Sequence, residues 1–441
     1  MMPPIVCVIA GSDPSGAAGL QMDLRVLSLL GVYGTSIPTA FTVQGLDKGI
    51  AWEPSPPDLF EKALQTVFSE LPVKVVKCGM LGTAEVALKL AEVLPSFSGK
   101  VIIDPILSAS SGLFLSEKKL VSVLRERLFP LATLVTPNIP EAEALLGLKI
   151  NPGDEPEAVK ALKALGPQAV LLKGGHRKAE KVQDFFFDGY TLKIFEHPRL
   201  EGNFRGTGCF LASAIAGLLA QDKALVSAVE EAISLLELAL YSAQSSNIFP
   251  PPANALVLWE RLSGGRKVLE DLMAAVEKFV SHPVRPLIPE VQSNLAYALP
   301  YARKVSEVAA FPGRIVGYGN SARPVGCPRF GASSHVARIV LTAMRFEPSK
   351  RAALNIRFDR KFIEKAQNLG LKVGWFSRRD EPEEIKAREG GTLSWGVRRV
   401  IQELGLVPDL IADEGDLGKE PMIRILAEDP FKAVEIALSL L

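Results

Sequence analysis

A short glycine turn followed by a cysteine and an apolar run is the segment of this sequence most suited to chemistry. Gly206, Thr207 and Gly208 precede Cys209 in the stretch EGNFRGTGCFLASAIAG. Backbone N–H groups in a tight turn that opens a helix can hold an anion such as a phosphate. Cys209 falls in the first turn of that helix, where the helix dipole lowers the pKa of a thiol. A thiol so placed can accept a proton from a substrate hydroxyl. A small buried cysteine behind a tight turn is the open alternative.

Further candidate side chains follow predicted strands in the first half of the chain. Asp13 and Asp23 lie in AGSDPSGAAGLQMDLR, a glycine-rich turn between a strand and a helix. Asn138 and Glu141 follow the strand ATLVTPN, and such an amide and carboxylate can hold Mg²⁺ near a nucleotide. Lys173 ends the strand in LLKGGH and can balance phosphate charge. Taken singly, Asp13 could be a turn former and Glu141 a helix-start residue. Because open α/β sheets bind ligands at the carboxyl ends of their strands, the set predicts one site.

A second group of candidate residues lies in RFGASSHVARIVLTAMRF, near the start of a predicted helix. Ser333 and Ser334 are natural helix N-caps, and His335 follows in the first turn. Arg338 comes three residues later on the same helix face. A helix start with these side chains is suited to binding a diphosphate. Two more arginines could converge on the same anion, namely Arg314 and Arg323.

An acidic loop follows a late predicted strand in DLIADEGDLGKEP. Asp413, Glu414 and Asp416 can hold Mg²⁺, and Lys419 is near enough in sequence to meet a phosphate. The alternative is a capped helix beside a solvated acidic loop. The sequence therefore predicts a metal ligand at Asp413 or Asp416 without deciding between these interpretations.

The elements that must position these residues alternate between short apolar runs and amphipathic runs. Strands such as PIVCVIAG, KVIIDPIL and QAVLLKGG, separated by helical patterns, predict an α/β fold with a mainly parallel sheet flanked by helices. DFFFDGYTLKIFEHP predicts a hairpin. A Pro-rich and then Gly-rich stretch predicts a linker over 249–267. We therefore expect one domain over 1–248 and a second, smaller α/β domain over 268–441.

Composition excludes several classes of protein. The 441 residues are 48% hydrophobic, and 50 Lys and Arg balance 49 Asp and Glu, which argues against a nucleic-acid or anionic-membrane binder. No segment approaches the roughly 20 apolar residues of a membrane span. The four cysteines are far apart, with neither a CxxC pair nor a nearby histidine. This pattern suggests neither a disulfide framework nor a zinc site, and it favours the cytoplasm.

Residues 1 to about 250 resemble the hydroxymethylpyrimidine/phosphomethylpyrimidine kinases of thiamine synthesis, which are ribokinase-like. The segments that carry the resemblance are IAGSDPSGAAGLQMDL, LGVYGTSIPTAFTVQ, DPILSASSG, TPNIPEAE, LLKGGH and GTGC, in that order. The resemblance implies two phosphorylations that use ATP and Mg²⁺, giving first a monophosphate and then a diphosphate of the pyrimidine.

The resemblance also implies roles for individual residues. The pyrimidine would be contacted by Gly11, Asp23, Gln44 and Met80. Mg-ATP would be bound by Asn138, Glu141, Gly206, Thr207 and Gly208, with Glu141 at the metal. Lys173 would meet the phosphates, and Cys209 would be the base.

This sequence departs from the pattern of the family at three places. Gly45 follows Gln44 where the family has Asn, Cys78 stands where Thr is usual, and Phe204-Arg205 replaces Thr-His. These differences concern the preference between pyrimidine and pyridoxine substrates. Pyridoxal kinases are close relatives and the nearest alternative.

Residues from about 268 to the end resemble the thiamine-phosphate synthase domain often fused behind this kinase, which is unrelated to the TIM-barrel synthase. PEVQSNLAYALPYA, FPGRI, FGASSHVAR, ALNIRF and GDLGKEPM carry the resemblance. It implies that the diphosphate is joined to a thiazole phosphate with release of pyrophosphate. The residues expected on the substrates are His335, Arg314, Arg338, Arg323, Ser333, Ser334 and Lys419, with Asp413 or Asp416 for the metal.

One alternative keeps the kinase and makes the second domain a thiamine-phosphate sensor or a structural domain. The expected partners in either case are small molecules rather than nucleic acid or membrane. Kinase sites of this superfamily often include contacts from a second subunit, which favours a homodimer.

Overall fold

The structure is a computed structural model that describes residues 2–108, 115–175, 177, 181–244, 248–382, 391–416 and 418–441. Two segments that carry the kinase resemblance, DPILSASSG and LLKGGH, lie partly outside these residues, at 109–112 and 176. The chain divides into two compact units, one ending at Leu258 and the other beginning at Trp259. Each unit has a sheet and a hydrophobic core of its own.

The first unit is built on a nine-stranded sheet. Its strands are β1 (Ile5–Ser12), β2 (Tyr33–Gln44), β3 (Gly49–Pro54), β4 (Val73–Cys78), β5 (Lys100–Ile103), β6 (Leu134–Val135), β7 (Ala169–Leu172), β8 (Lys181–Phe187) and β9 (Leu192–Pro198). They lie in the order β3-β2-β1-β4-β5-β6-β7-β8-β9. The pairs from β2 through β7 are parallel, while β3, β8 and β9 are added in antiparallel fashion. This confirms the predicted α/β fold and the hairpin.

Helices cover both faces of this sheet, which explains why its central strands are continuous apolar runs. Seven of the eight residues of β1 are buried, for example. The helices are α1 (Gly19–Leu29), α2 (Pro57–Glu70), α3 (Ala84–Val93), α4 (Leu120–Val123), α5 (Ile139–Leu146), α6 (Glu155–Lys163), α7 (Thr207–Ala220) and α8 (Leu225–Ala243). Among the helices in the described part of the chain, none is long and apolar enough to cross a membrane.

The carboxyl ends of the parallel strands lie at one edge of the sheet. The chain leaves β5 at Asp104, leaves β6 toward Asn138 and leaves β7 at Lys173. Asn138 and Lys173 are themselves joined by an isolated parallel bridge. The fold therefore gathers polar residues from distant parts of the sequence at this edge.

The second unit is also α/β, and its main sheet is mostly antiparallel. Its strands are β10 (Leu295–Ala298), β11 (Val308–Ala310), β12 (Ile315–Tyr318), β13 (Ser321–Pro324), β14 (Arg329–Phe330), β15 (Ala352–Arg357), β16 (Val373–Trp375), β17 (Leu410–Asp413) and β18 (Met422–Ala427). Seven of them form the order β14-β11-β10-β15-β18-β17-β16, in which only β16 and β17 pair in parallel. β12 and β13 form a separate hairpin.

Helices α9 (Leu256–Val280), α10 (Ser334–Met344), α11 (Arg360–Asn368), α12 (Gly391–Leu404) and α13 (Pro430–Ser439) complete the description. The structure differs from the predicted linker over 249–267, because α9 begins at Leu256 and continues through Gly264 and Gly265. Residues of α9 such as Val268 and Leu272 are buried in the second core. Such packing outweighs the low helix propensity of two glycines.

Candidate active sites

A cavity of about 570 Å³ opens at the polar edge of the first sheet. Parts of β1, β2, α5, α7, α8 and the β8–β9 hairpin form its walls. Ten of the predicted kinase residues line it, namely Gly11, Gln44, Met80, Asn138, Glu141, Lys173, Gly206, Thr207, Gly208 and Cys209.

The start of α7 has the geometry of an anion-binding turn. Gly206 is the N-cap residue with a left-handed φ of 72°, and a side chain there would overlap the carbonyl oxygen of Ala17. A Cβ placed on Gly208 would lie 3.3 Å from Lys173 Nζ and 3.4 Å from Asp104 Oδ2. The turn therefore has an ammonium and a carboxylate directly against it. An anion held by the backbone N–H groups of α7 would also meet Lys173.

Asp104 is a site residue that the sequence analysis missed. Its Oδ1 accepts hydrogen bonds from Lys173 Nζ at 2.7 Å and from Thr136 Oγ1 at 2.9 Å. Its Oδ2 is buried and has no hydrogen-bond partner among the described residues. Burial alone would lower the pKa of Lys173, but the charges of Asp104 and Glu141 outweigh it and raise that pKa. The neighbouring carboxylates therefore favour the ammonium form of Lys173. The aspartate after the strand in KVIIDPIL was the available sequence signal.

Asn138 and Glu141 together form the capping box of α5. Asn138 Oδ1 accepts from the backbone N–H of Glu141 at 2.9 Å, and Glu141 Oε2 accepts from that of Asn138 at 2.8 Å. Burial raises the pKa of the Glu141 carboxyl to about 7, although Lys173 opposes the change. Asn138 and Glu141 therefore both start a helix and line the cavity, so the two interpretations of the sequence are compatible.

Asp23 does not occupy the predicted position on the cavity wall. Its side chain is fully buried, and its two oxygens accept from Lys77 Nζ at 2.8 Å and from Ser213 Oγ at 2.7 Å. It is not among the residues that line the cavity. The structure therefore corrects the expectation that Asp23 contacts the pyrimidine, because a buried ion pair already satisfies both oxygens.

Cys209 lies at the predicted place with a different electrostatic environment. The residue is 6% exposed, and burial raises the pKa of its thiol to about 12. Lys77 and a hydrogen bond from the backbone of Gly19 favour the thiolate but do not offset burial. The expectation that the helix start lowers this pKa is therefore wrong, because desolvation of the charged form is the larger effect.

Gln44 and Met80 lie on the cavity wall with Gly11, as expected. The side-chain oxygen of Gln44 is buried and has no hydrogen-bond partner in the described part of the chain. Met80 is 4% exposed and packs with Ala40 and Leu115. A ligand here would meet an apolar surface and one free carbonyl oxygen, which suits an aromatic ring with an amino group.

In the second unit, α10 begins as predicted at Ser334, with Ser333 as its N-cap. The Ser333 side chain makes no capping hydrogen bond, and Ser334 and His335 are exposed. This helix start is accessible to a ligand.

Arg314 lies in a left-handed conformation with a φ of 72°, as does Gln292 with a φ of 67°. Arg314 Nη1 donates to the carbonyl oxygen of Val291, and Gln292 Oε1 accepts from the backbone of Gly317 at 2.9 Å. Two non-glycine residues in this conformation, linked through one loop, mark a place where the backbone is constrained. The sequence motifs pointed to Arg314 but gave no signal for Gln292.

Within the described part of the second unit, Arg314 and the start of α10 are not brought together. Arg314 follows the end of β11 at Ala310. Strand β14 runs antiparallel to β11, with Ala310 paired to Arg329 and the backbone N–H of Gly331 donating to the carbonyl oxygen of Val308. The chain therefore enters α10 at the opposite end of β11, near Val308. The described contacts do not join Arg314 to His335. Arg323 stacks over the ring of Tyr318 at 4.8 Å.

The carboxylate of Asp413 is paired with two arginines and is therefore not available to bind a metal. Its oxygens accept from Arg378 Nε and from Arg424 Nη1, each at 2.6 Å, and the residue is fully buried. Burial opposes ionisation, but Arg424 and Arg378 outweigh it and lower the pKa of this carboxyl. The prediction of a metal at Asp413 is therefore corrected. Asp416 and Lys419 are exposed and pair through their backbones in a tight turn.

Family models match each unit separately. A model described as phosphomethylpyrimidine kinase matches residues 13–249, more than half of the chain. The chain belongs to the phosphomethylpyrimidine kinase family. A second model, thiamine-phosphate synthase ThiN, matches residues 271–439. Together they confirm both resemblances and the predicted pairing of a kinase-family unit with a ThiN-family unit.

Individual relatives agree with this division of the kinase-family chain. It is 43% identical over 258 residues to the thiamine biosynthesis bifunctional protein ThiED of Geobacter sulfurreducens, covering 58% of this chain and 53% of that protein. It is 29% identical over 433 residues to the bifunctional thiamine biosynthesis protein ThiDN of Methanocaldococcus jannaschii, covering 98% and 97%. The chain thus spans about half the length of the first relative and nearly all of the second.

A solved structure supports the ribokinase-like fold of the kinase unit. The pyridoxal kinase of Staphylococcus aureus in complex with pyridoxal aligns with a TM-score of 0.53 and 32% identity, over 57% of this chain and 93% of that one. The expected fold class is confirmed. Membership of a kinase family implies that ATP is the phosphoryl donor.

His197 is a second cavity residue of the kinase unit that the sequence analysis missed. Its Nε2 lies 3.2 Å from Asp184 Oδ2, and its Nδ1 lies 3.8 Å from Glu237 Oε1. Burial would lower the pKa of His197, but the hydrogen bond and charge of Asp184, with Glu237, outweigh it and raise that pKa. The sequence placed this residue at the end of a hairpin strand and gave no sign of the two carboxylates.

We expect the substitution His197→Gln to remove a stabilisation that depends on pH. Because the folded-state pKa is raised, this stabilisation is full below the ordinary value of 6.5 and is lost as pH rises through the folded value. The free energy of unfolding should fall by about 1–2 kcal/mol at pH 6 and by less at pH 8. Urea unfolding at both pH values measures the difference. The exposed His282→Gln is the control, and an equal loss at both pH values would contradict the charge pairing.

Proposed function

We propose that this chain carries out three steps of thiamine synthesis with two sites. Residues 1–248 would phosphorylate hydroxymethylpyrimidine to its monophosphate and then to its diphosphate. Residues 268–441 would join the diphosphate to the thiazole phosphate, forming thiamine phosphate and pyrophosphate. The observation that carries the kinase part is one cavity that combines the anion-binding turn at Gly206, the Lys173 ammonium and the free oxygen of Gln44.

The kinase residues suit a phosphoryl transfer with a loose transition state. Such a reaction needs positioning and stabilisation of charge on the phosphoryl oxygens more than covalent chemistry. The backbone N–H groups of Gly206–Gly208 and the Lys173 ammonium would stabilise that charge. Gln44 Oε1 would accept a hydrogen bond from the amino group of the pyrimidine and so direct its hydroxymethyl group toward the turn.

Mg²⁺ fits the carboxylates beside the turn. Asp104 has a buried oxygen without a partner, and Glu141 lines the same cavity. The described residues contain no group of three or more His, Cys, Asp or Glu that could hold a metal. This is consistent with Mg²⁺, which commonly takes one or two carboxylates and completes its shell with phosphate oxygens and water. When bound, the ion would neutralise charge on the transferred phosphoryl group.

We expect Cys209→Ala to lower kcat for both phosphorylations by about 100-fold at pH 8, if the thiol handles the proton of the hydroxyl group. Since burial raises its pKa to about 12, the thiolate fraction should grow tenfold for each pH unit near neutrality. The kcat of the wild-type protein should therefore rise with pH, while that of the variant should not. A flat wild-type profile together with an active variant would exclude Cys209 as the proton acceptor.

In the second unit, the proposed reaction begins with ionisation of the C–O bond that carries the diphosphate. His335 and Arg338, at the start of α10, would stabilise the leaving group together with Ser333 and Ser334. Because the described contacts do not bring Arg314 to this helix start, Arg314, Arg323 and Lys419 would contact other parts of the substrates. Asp416 remains as the carboxylate for a metal. The thiazole nitrogen then attacks the carbon cation, so little general base is needed. The exposed start of α10 supports this assignment.

Direct measurement of products tests the proposal. The chain would be incubated with hydroxymethylpyrimidine, Mg-ATP and the thiazole phosphate, and the products identified by mass spectrometry. Thiamine phosphate is the expected product, and its formation from supplied pyrimidine diphosphate without ATP should isolate the second step. Accumulation of the pyrimidine diphosphate alone would instead favour a sensor or structural role for the second unit.

A pyridoxine-type kinase is the second candidate, because the aligned structure contains pyridoxal. Phosphorylation of pyridoxine in place of hydroxymethylpyrimidine would favour it.

We further propose that the reactions take place in the cytoplasm and that the chain forms a homodimer. The exposed Phe41 and Ile50 on the edge pair β2–β3 support association, which light scattering would test.

A further inference from the structure

Among the described residues, Arg205 is a buried cation at the kinase cavity that has no anionic partner. Arg205 is 3% exposed and lines the cavity next to the turn that begins at Gly206. Its Nε has no hydrogen-bond partner within the described residues. None of the ion pairs found between described residues includes Arg205.

The other two buried cations near the turn differ in this respect. Lys173 Nζ lies 2.7 Å from Asp104 Oδ1, and Lys77 Nζ lies 2.8 Å from Asp23 Oδ2. Each lysine is thus neutralised by a carboxylate that the fold supplies. Burial of a guanidinium without such a partner costs free energy, and a bound anion would offset that cost.

The backbone holds Arg205 firmly in place. Its N–H donates to the carbonyl oxygen of Pro251 at 3.0 Å, and its own carbonyl accepts from the N–H of Ala253 at 2.9 Å. On its other side, Gly206 is packed against the carbonyl of Ala17. The backbone at Arg205 is thus fixed, and the burial of its side chain limits where the guanidinium can lie.

We propose that Arg205 binds phosphate oxygens of the ligand held at the Gly206–Gly208 turn. Its Nε and one terminal nitrogen would donate two parallel hydrogen bonds, as arginine does to phosphate. This inference rests on the kinase function proposed above and adds a residue to it. The phosphate can belong to the nucleotide or to the monophosphate acceptor of the second phosphorylation, and both sources present the same chemistry.

The variants Arg205→Gln and Arg205→Lys test this proposal in the full-length chain. We expect Arg205→Gln to weaken the binding of a phosphate ligand by about 10- to 100-fold. Arg205→Lys should weaken it less, because it keeps the charge and loses the paired geometry. The exposed Arg127→Gln is the matched control.

Two measurements distinguish the sources of the phosphate. If the nucleotide supplies the phosphate, calorimetry should show that Arg205→Gln binds ADP more weakly than the wild-type protein does but binds adenosine equally well. In steady-state kinetics, a rise in KM for the monophosphate, with unchanged KM values for ATP and hydroxymethylpyrimidine, would identify the acceptor. Unchanged affinities and KM values, or equal losses for ADP and adenosine, would overturn the proposal.

Thermal unfolding separates binding from a structural role. Removal of an unpartnered buried charge should leave the melting temperature of the ligand-free Arg205→Gln protein unchanged or raised, while the increase caused by ADP or by the monophosphate shrinks. A large loss of stability without ligand would indicate that Arg205 serves the fold and would overturn the proposal. Calorimetry measures binding and does not require turnover. Inactivity of the wild-type kinase would therefore refute the proposed function, while the binding data would still decide whether Arg205 contacts a phosphate.

Discussion

Gly206→Ala is expected to reduce the rate of both phosphorylations by about 100- to 1,000-fold, the loss typical of removing a donor from an oxyanion-type site. A methyl group at this position would overlap the carbonyl oxygen of Ala17, and the residue has a φ of 72°. The turn must therefore shift, which moves the backbone N–H groups away from the phosphoryl oxygens. Steady-state kinetics with hydroxymethylpyrimidine and with its monophosphate measure the effect.

Gly147→Ala provides a matched control for the backbone conformation. Gly147 has a φ of 71°, almost the same as Gly206, but a Cβ there would meet nothing within 4 Å. Its cost should be limited to the left-handed conformation, about 1–2 kcal/mol of stability, with kinase activity retained. Equal loss of activity in the two variants would mean that general instability is responsible. Retained activity in Gly206→Ala would show that the turn does not hold the phosphoryl group.

The position of the kinase site could be predicted because several of its side chains follow recognisable strands. Asn138 and Lys173 come directly after apolar runs, and parallel strands bring their carboxyl ends to one edge. The glycine turn was visible from its own residues, because it directly precedes the apolar run that forms α7. The strand–helix alternation thus predicted both the fold class and the edge of the sheet that carries the cavity.

The partners of charged residues could not be predicted, because they come from distant parts of the chain. Lys77 lies inside the run KVVKC, and nothing local shows that it meets Asp23. Asp413 likewise accepts hydrogen bonds from Arg378 and Arg424, which lie in separate elements. Burial is equally non-local, and it reverses the expected direction of the Cys209 pKa.

Short strands and the start of α9 were missed for a related physical reason. LAYA in β10 and VAA in β11 have no alternation of polar and apolar residues, since both faces are covered. Their strand conformation depends on the neighbours with which they pair. The two glycines in α9 similarly indicate a linker until the packing of that helix is known.

Asp23→Asn is expected to lower the free energy of unfolding of the first unit by about 3–5 kcal/mol, because it leaves the Lys77 ammonium buried without a carboxylate. Both side chains of this pair are fully buried, so solvent does not screen the loss. Urea unfolding of the full chain measures it, with the first-unit transition identified by its shift on adding ATP.

The double variant Asp23→Asn with Lys77→Met decides between a structural role and a substrate contact. Methionine has nearly the length of lysine without its charge, so the double variant should recover more than half of the lost stability. The KM for hydroxymethylpyrimidine should then be close to that of the wild-type protein, since Asp23 lies off the cavity wall. If the single variant is stable and its KM rises at least tenfold, Asp23 contacts the pyrimidine as the family resemblance implies. The ion pair would then have to open when substrate binds.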